Sequence, residues 1–204
     1  APRFRLMGEF VRDNALAVSG LLKKQFGGPG VKPYQPPGLW VEVSLSGGRR
    51  FARDKGEKLY RRSMYTYWKR SSPQPALMAF DTPTREKCVL QRQRTNTPMQ
   101  ALVTLNDEQF VEAARTFAQR VLKSDRKDFP SRLDYAFELA TARPADNLRR
   151  EVLKSAYDNQ LAVLKTEPDR AKQLLGFGES TRDESLDPTE HAAWTIVAGM
   201  ILNL

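Results

Sequence analysis

The chain has 204 residues, a mean hydropathy of −0.56 and a formal net charge of +9. Its single cysteine, Cys88, and single histidine, His191, exclude an intrachain disulfide and any zinc or iron–sulfur site built from several Cys and His ligands. The longest apolar run, residues 192–204, is too short to cross a bilayer, so it predicts a buried C-terminal helix. These features exclude disulfide scaffolds and zinc fingers built within this sequence, and they favour a buried C-terminal helix over a membrane anchor.

The positive charge is concentrated in the middle of the chain. Residues 45–100 hold 13 Lys/Arg and 4 Asp/Glu, whereas residues 101–204 hold 14 Lys/Arg and 17 Asp/Glu. Clustered cations are the electrostatic feature of polyanion binding, which makes an acidic partner conceivable for the middle segment. Charge alone does not decide the question, because most basic surfaces are simply hydrated.

The first part of the chain predicts a helix followed by an ordered loop. Apolar residues recur at helical spacing within residues 3–26, which favours a helix that ends before Gly27. Residues 27–38 contain too many glycines and prolines for a regular element. We expect Tyr34 and Trp40 to hold this loop against the body of the protein, in preference to a flexible linker.

The middle segment predicts a small β element. Residues 59–69 alternate aromatic, β-branched and charged side chains with a period of two, which is typical of a strand covered on both faces. The short apolar stretch 76–80 is the expected partner strand. The sequence therefore predicts a β-hairpin or β-ribbon within residues 39–80 of a mainly α fold.

The remainder of the chain predicts helices. Thr97 is a suitable N-cap and Pro98 a suitable first-turn residue for a central core helix that continues to about residue 122. Its predicted apolar stripe comprises Ala101, Leu102, Leu105, Val111, Ala114, Phe117, Ala118 and Val121. Further helices are expected at residues 131–141, 145–165, 168–175 and 188–204.

We expect one domain over residues 1–204, a length sufficient for a single core. Residues 1–38 are expected to form the first helix and the Gly/Pro loop. Residues 39–94 are expected to form a basic β and loop segment, and residues 95–204 a helical bundle.

Five sequence blocks, in the same order, resemble the signature stretches of one family. They are GPGVKPYQPPGLW (28–40), LYRRSMYTYWKR (59–70), FDTPTREKC (80–88), RQRTNTPMQAL (92–102) and LNDEQFVEAA (105–114). They are similar to the planctomycete-type domain of unknown function fifteen-fifty-three. The resemblance implies the C-terminal portion of a large exported protein, periplasmic or on the cell surface, that also carries a c-type cytochrome module. It implies no cofactor in this chain, because any haem c would belong to that separate module.

One set of cations and aromatic rings is the candidate ligand site. Its members are Arg61, Arg62, Tyr65, Tyr67, Trp68, Arg85, Arg92, Arg94 and Asn96. Guanidinium groups beside aromatic rings suit an acidic or sulfated glycan, which we favour over nucleic acid. The alternative is that the arginines pair inside the fold. In that case we expect Arg62 and Arg94 to be buried, and the exposed arginines to be Arg49, Arg50 and Arg53.

No catalytic residue and no metal ligand is predicted. The carboxylates within the family-like blocks are Asp81, Glu86, Asp107 and Glu108, and capping or ion pairing accounts for them better than hydrolysis. Cys88 has no neighbouring histidine, so we expect a buried structural thiol, and we expect His191 at or near the surface. The sequence favours a structural or interaction module that contacts other domains of the same parent protein. A glycan-binding, polyanion-binding or carbohydrate-processing role is the alternative.

Overall fold

The computed structural model describes residues 5–44 and 50–204, and the fold of these residues is mainly α, as predicted. The α-helices are α1 (Gly8–Ser19), α2 (Leu39–Glu42), α3 (Pro75–Ala79), α4 (Pro98–Asn106), α5 (Glu108–Leu122), α6 (Phe129–Thr141), α7 (Asn147–Thr166), α8 (Pro168–Leu175) and α9 (Pro188–Leu202). Two 3₁₀ helices, Gly56–Tyr60 and Ser63–Tyr65, lie between α2 and α3. The described residues form two compact units, the first up to Asp13 and over Leu22–Val103, the second over Asn14–Leu21 and Thr104–Leu204. The single-domain organisation stays a prediction.

Helix α9 is the centre of the second unit, where it contacts α5, α6, α7 and α8. Trp194 and Val197 are fully buried within it, and Phe129 and Tyr157 stack against the Trp194 ring at 5.0 and 5.5 Å between centroids. A helix that is apolar on every side is expected to be buried, and the predicted buried C-terminal helix is confirmed. Among the residues described, no helix combines the length and the apolar character needed to cross a membrane.

The predicted central helix is two helices. Asp107 has an extended backbone with ψ 135°, and its side chain accepts a hydrogen bond from the amide of Gln109, so it ends α4 and caps α5. Phe117 is fully buried as predicted, because it lies on the side of α5 that packs into the core of the second unit. Leu102 and Leu105 are 54% and 42% exposed, so their assignment to the same stripe is wrong: the break at Asp107 changes the helical phase before α5 begins.

Helices α6 and α7 contact each other at the edge of the second unit. Ala142 ends α6 in the left-handed region, with φ 56°, and Arg150 of α7 donates two hydrogen bonds to Asp134 of α6 at 2.9 Å. Among the apolar residues of α7, Leu153 is buried, whereas Leu148 and Val152 are 70% and 52% exposed. The apolar pattern of α7 is therefore wider than the face it buries.

The predicted β-hairpin within residues 39–80 is absent from the described part of the first unit, and the strand assignments for 59–69 and 76–80 are wrong. Isolated bridges join Lys23 to Arg61 and Val31 to Thr66, and 76–79 lies in α3. Residues 56–60 and 63–65 form 3₁₀ helices, so most of the first half of the predicted strand is helical and not extended. Residues 65–67 pair with the Gly/Pro loop through single backbone contacts, for example where Tyr67 N donates to Val31 O at 2.7 Å.

The first helix is also shorter than predicted. It ends at Ser19, and Gly20 follows with φ 86°, a conformation that favours glycine and stops the helix. Near its start, a Cβ at Gly8 would lie 2.9 Å from Phe80 Cβ, so the backbone of α1 approaches the end of α3 closely. Tyr34 and Trp40 are buried, as expected of residues that hold the Gly/Pro loop in place.

Candidate functional site

Among the described residues of the first unit, the buried arginines are Arg12 and Arg61, each about 3% exposed or less. Arg12 donates to the carbonyl oxygens of Leu59 at 2.6 Å and of Arg61 at 2.9 Å. The neighbouring Asp13 accepts the amide of Ser63 at 2.6 Å. Helix α1 therefore fixes the 59–63 segment through backbone groups, which become paired without a sheet.

Arg61 performs the same structural role for the Gly/Pro loop. Its guanidinium donates to the carbonyl oxygens of Pro29 at 3.0 Å, of Gln25 at 3.2 Å and of Gly27. It also stacks 4.0 Å above the ring of Tyr65, whose hydroxyl accepts the amide of Gly27 at 2.8 Å. Arg61 and Tyr65, two of the predicted ligand residues, therefore make contacts within the protein.

The prediction that Arg62 and Arg94 are buried is wrong. The Arg62 side chain is 37% exposed, with Nε 3.4 Å from Asp13 Oδ2, and Arg94 is exposed. Burial instead falls on Arg61, one position earlier, because the 3₁₀ backbone there does not alternate as a strand would. Arg50 and Arg53 are exposed as expected, and Arg53 lies 4.8 Å above the Tyr34 ring. Arg49 lies outside the described residues.

The other predicted ligand residues are distributed over separate contacts. Trp68 Nε1 donates to Thr84 O at 3.0 Å, and the Arg85 guanidinium lies 4.6 Å above the Trp68 ring. Arg92 donates to Glu9 at 3.0 Å, and Asn96 is exposed. The structure thus brings together pairs of these residues, and their binding role stays a prediction.

Asp81 has the environment of a structural carboxylate. Its backbone is left-handed, with φ 59°, and its side chain accepts hydrogen bonds from Arg5 and from the amide and hydroxyl of Thr95 at 2.7 and 2.9 Å. Gln100 adds bonds to Ala79 O and to Thr95 at 3.0 and 3.1 Å. This arrangement agrees with ion pairing and turn formation as the role of Asp81.

The segment 84–99 is exposed at every position. Cys88 lies within this segment and is exposed, so the prediction of a buried thiol is wrong. The segment is a loop on the surface, which leaves the side chain of Cys88 accessible to solvent. Leu90 is fully exposed and Val89 is 48% exposed. Residues 89–94 and Met7 surround an open cavity of about 830 Å³.

Two lysines and two aromatic rings meet elsewhere in the first unit, and we call this set the lysine–aromatic platform: Lys32, Trp40, Tyr67 and Lys69. The Lys69 ammonium lies 4.5 Å from the Trp40 ring centroid. The Lys32 ammonium lies 5.6 Å from the Trp40 centroid and 5.4 Å from that of Tyr67. The two rings are 5.8 Å apart, and Phe51 packs edge-on against Trp40 at 5.3 Å.

The platform was missed in the sequence because its halves are distant along the chain. Lys32 and Trp40 belong to the Gly/Pro loop and α2, whereas Tyr67 and Lys69 follow the second 3₁₀ helix. The only sequence signal was the richness of both stretches in aromatic and basic residues. Across the described ranges, no group of three or more His, Cys, Asp or Glu side chains is arranged to hold a metal ion.

The second unit contains a buried polar network. Glu112 on α5 accepts the backbone amides of Glu179 and Ser180 at 2.7 and 2.6 Å, and Arg115 donates to Ser180 O at 2.7 Å. The ring of His191 is 3.0 Å from Arg115 O through Nε2. Both α5 residues are about 2% exposed or less, so the network fixes the loop between α8 and α9.

His191 is fully buried, so its predicted surface position is wrong: it is on the first turn of α9, and that turn faces the core. Because a carbonyl oxygen only accepts, Nε2 carries the proton and Nδ1 does not. Burial lowers the pKa of His191 below its usual value, against the opposing effect of the Arg115 carbonyl. The ring is therefore neutral in the folded protein near neutral pH.

Comparison with known proteins gives a family and nothing finer. A family model described as "PSD1: Protein of unknown function (DUF1553)" matches residues 1–157 of the 204-residue chain. The matched range includes all five sequence blocks, so it supports the resemblance seen in the sequence. No curated protein and no solved structure matches the chain.

Proposed function

The chain belongs to the DUF1553 family, and from this premise we propose that it is an interaction module of a larger exported, cytochrome-associated protein of planctomycete type. In this proposal its partners are other domains of the same parent protein, in the periplasm or at the cell surface. The chain supplies no cofactor, and any haem c belongs to a separate module. The family description assigns no activity, and the support for this proposal is the surface of the chain.

The observation that carries the proposal is the exposed segment 84–99. Leu90 is fully exposed and Val89 is 48% exposed, with Lys87 and Arg92 close by in sequence. An apolar tip with a basic rim has the composition of a site that another protein surface covers. The interior of the first unit, by contrast, is held by backbone contacts of Arg12 and Arg61 that leave these groups no catalytic role.

Hydrogen exchange tests this proposal directly. Backbone amides of residues 84–99 are expected to exchange more slowly in the full parent protein than in this chain alone, because a second domain covers them. Amides on the exposed side of α7, such as those of Lys154 and Asp158, serve as the internal control and should not change. Equal exchange rates of 84–99 in both proteins would refute the proposal.

A matched pair of substitutions adds specificity to the test. Leu90→Asp in the parent protein is expected to restore fast exchange across 84–99, because a carboxylate does not fit an apolar contact. Leu148→Asp places the same charge on α7 at another exposed leucine, 70% accessible, and should leave the exchange pattern unchanged. If both variants behave alike, the effect is one of general stability.

A second function, binding of an acidic glycan, is favoured by the basic and aromatic contacts of the first unit. Arg85 over Trp68 and Lys69 over Trp40 combine a cation with a ring, at 4.6 and 4.5 Å. We expect the chain to be retained on immobilised sulfated glycan. This retention should decrease steeply as the salt concentration is raised, because salt screens exposed cations. If the chain elutes at a low salt concentration, in the same fractions as a neutral protein, then acidic-glycan binding is wrong as a function of this chain.

A further inference from the structure

The strongest unassigned feature is the lysine–aromatic platform. Its two ammonium groups approach one indole, Lys69 at 4.5 Å and Lys32 at 5.6 Å from the Trp40 centroid. Among the described residues, no carboxylate lies within ion-pair distance of either ammonium. Bringing two like charges to one ring is unfavourable, whereas each contact of a cation with an aromatic face is favourable. An anion at this position would offset the repulsion and keep both contacts.

The backbone holds the platform in place before any ligand arrives. Val31 pairs with the residues on either side of Thr66, with Val31 N donating to Tyr65 O at 2.8 Å and Tyr67 N donating to Val31 O at 2.7 Å. The amide of Lys32 donates to Asp54 Oδ2 at 2.7 Å. Lys32 and Tyr67 are therefore fixed on adjacent extended segments, and preorganised groups lose little entropy on binding.

The platform also offers an accessible aromatic face. The Tyr67 side chain is 49% exposed, whereas Trp40, beneath the lysines, is 9% exposed. Among the residues that the structure describes, the buried indole Nε1 of Trp40 has no hydrogen-bond acceptor, which is unusual for a buried donor. A sugar ring packs well on an exposed aromatic face, and anionic substituents of the same sugar reach adjacent ammonium groups.

From this geometry we propose that Lys32 and Lys69 bind the sulfate or carboxylate groups of an acidic saccharide, with a sugar ring stacked on Tyr67. The inference rests on the second function above and gives it a site different from the arginines predicted in the sequence. Arg61 is excluded from such a site because its guanidinium donates to three loop carbonyl oxygens. Lysines suit the role, since an ammonium is a mobile point charge that adapts to several sulfate positions.

The test is calorimetric titration of the chain with a sulfated heparin hexasaccharide, its desulfated form, and an oligonucleotide of similar charge. Lys32→Met with Lys69→Met removes both charges and keeps the apolar stems against the rings. The control, Lys55→Met with Lys58→Met, removes two charges from exposed lysines of the same unit. Tyr67→Ala removes the stacking face.

We expect the platform double variant to weaken binding of the sulfated hexasaccharide by about tenfold or more, and the control by less than about threefold. Tyr67→Ala should reduce the preference for the hexasaccharide over the oligonucleotide. Equal losses in the platform and control variants would mean general charge attraction and would overturn the site. Unchanged binding in the platform variant would also overturn it, while leaving glycan binding elsewhere intact.

A measurement on the unaltered chain removes the dependence on variant folding. Lysine acetylation followed by mass spectrometry should show that the hexasaccharide protects Lys32 and Lys69 more than Lys55 and Lys58. Uniform protection contradicts the site. If the unaltered chain binds no hexasaccharide at about 1 mM, the second function itself is wrong and the platform is a structural contact.

Discussion

Glu112 and Ser180 are joined by a hydrogen bond of 2.6 Å from the Ser180 amide to a carboxylate that is 1% exposed. Gly178 permits this approach, because it has φ 87° and a Cβ there would overlap the Glu112 side chain. The loop between α8 and α9 therefore requires glycine at this position for two reasons, the backbone conformation and the close carboxylate.

Gly178→Ala is expected to lower the free energy of unfolding by about 2–5 kcal/mol, from left-handed strain and overpacking together. Gly20→Ala is the matched control, since Gly20 has φ 86° but nothing within 4 Å of the added Cβ, and it should cost about 1–2 kcal/mol. Urea denaturation measures both. Equal losses would show that the Glu112 contact adds nothing to the backbone effect.

Phe117→Ala is expected to cost about 3–5 kcal/mol, because the side chain is fully buried in the core of the second unit. Leu102→Ala, predicted from the sequence to be part of the same stripe, is expected to cost less than about 1 kcal/mol at a side chain 54% exposed. Thermal unfolding of both variants checks the comparison. A larger loss at Leu102 than at Phe117 would contradict the break at Asp107.

Arg61→Ala is expected to cost about 2–3 kcal/mol, since it removes charged hydrogen bonds to loop carbonyls and the contact with Tyr65. Arg70→Ala, at an exposed arginine of the same segment, should change stability by less than about 0.5 kcal/mol. Chemical denaturation with proteolysis of the 25–30 loop as a second readout is the measurement. The loop should become cleavable in the Arg61 variant, and protection equal to wild type would argue against its clamping role.

The pH dependence of stability should depend on His191. Its pKa is lower in the folded protein than in the unfolded chain, so below pH about 6.5 the unfolded state binds more protons. Stability is therefore fully present above that value and decreases as pH falls through it. His191→Gln retains a donor for the Arg115 carbonyl and does not titrate. Melting temperatures measured from about pH 8 to about pH 5 should fall more in the wild type than in this variant, and parallel curves would contradict the assignment.

The helical part of the fold was predictable because its signals are local. Asp187 and Pro188 begin α9 through a cap and a first-turn proline, and Pro168 supplies the first-turn proline of α8. The 59–69 segment was mispredicted as a strand because its period-two pattern is not specific to strands. The same pattern occurs where irregular backbone makes isolated hydrogen bonds to a neighbouring loop. Pairing partners at a sequence distance of about 35 residues, such as Val31 and Thr66, leave no trace in local periodicity.

The sequence also failed to predict which arginine of the ligand site is buried, for a related reason. Arg61 and Arg62 are adjacent and chemically identical, yet Arg61 is buried and Arg62 is 37% exposed on its side chain. Only the direction of the backbone after the 3₁₀ helix decides which of them faces the loop. Tyr67, one of the predicted ligand residues, is 49% exposed, but Lys32, whose ammonium lies over its ring, is supplied by a distant part of the chain.

Ala142 stands in the left-handed region at the end of α6, with φ 56°, where most proteins use glycine. Relief of that strain by Ala142→Gly is expected to raise stability by about 1 kcal/mol, which lowers the unfolded population about fivefold. The residue is exposed, so the change alters no buried contact. One substitution, Ala142→Gly, would thus give a more stable background. In that background, variants with destabilising substitutions elsewhere would stay folded long enough to be assayed.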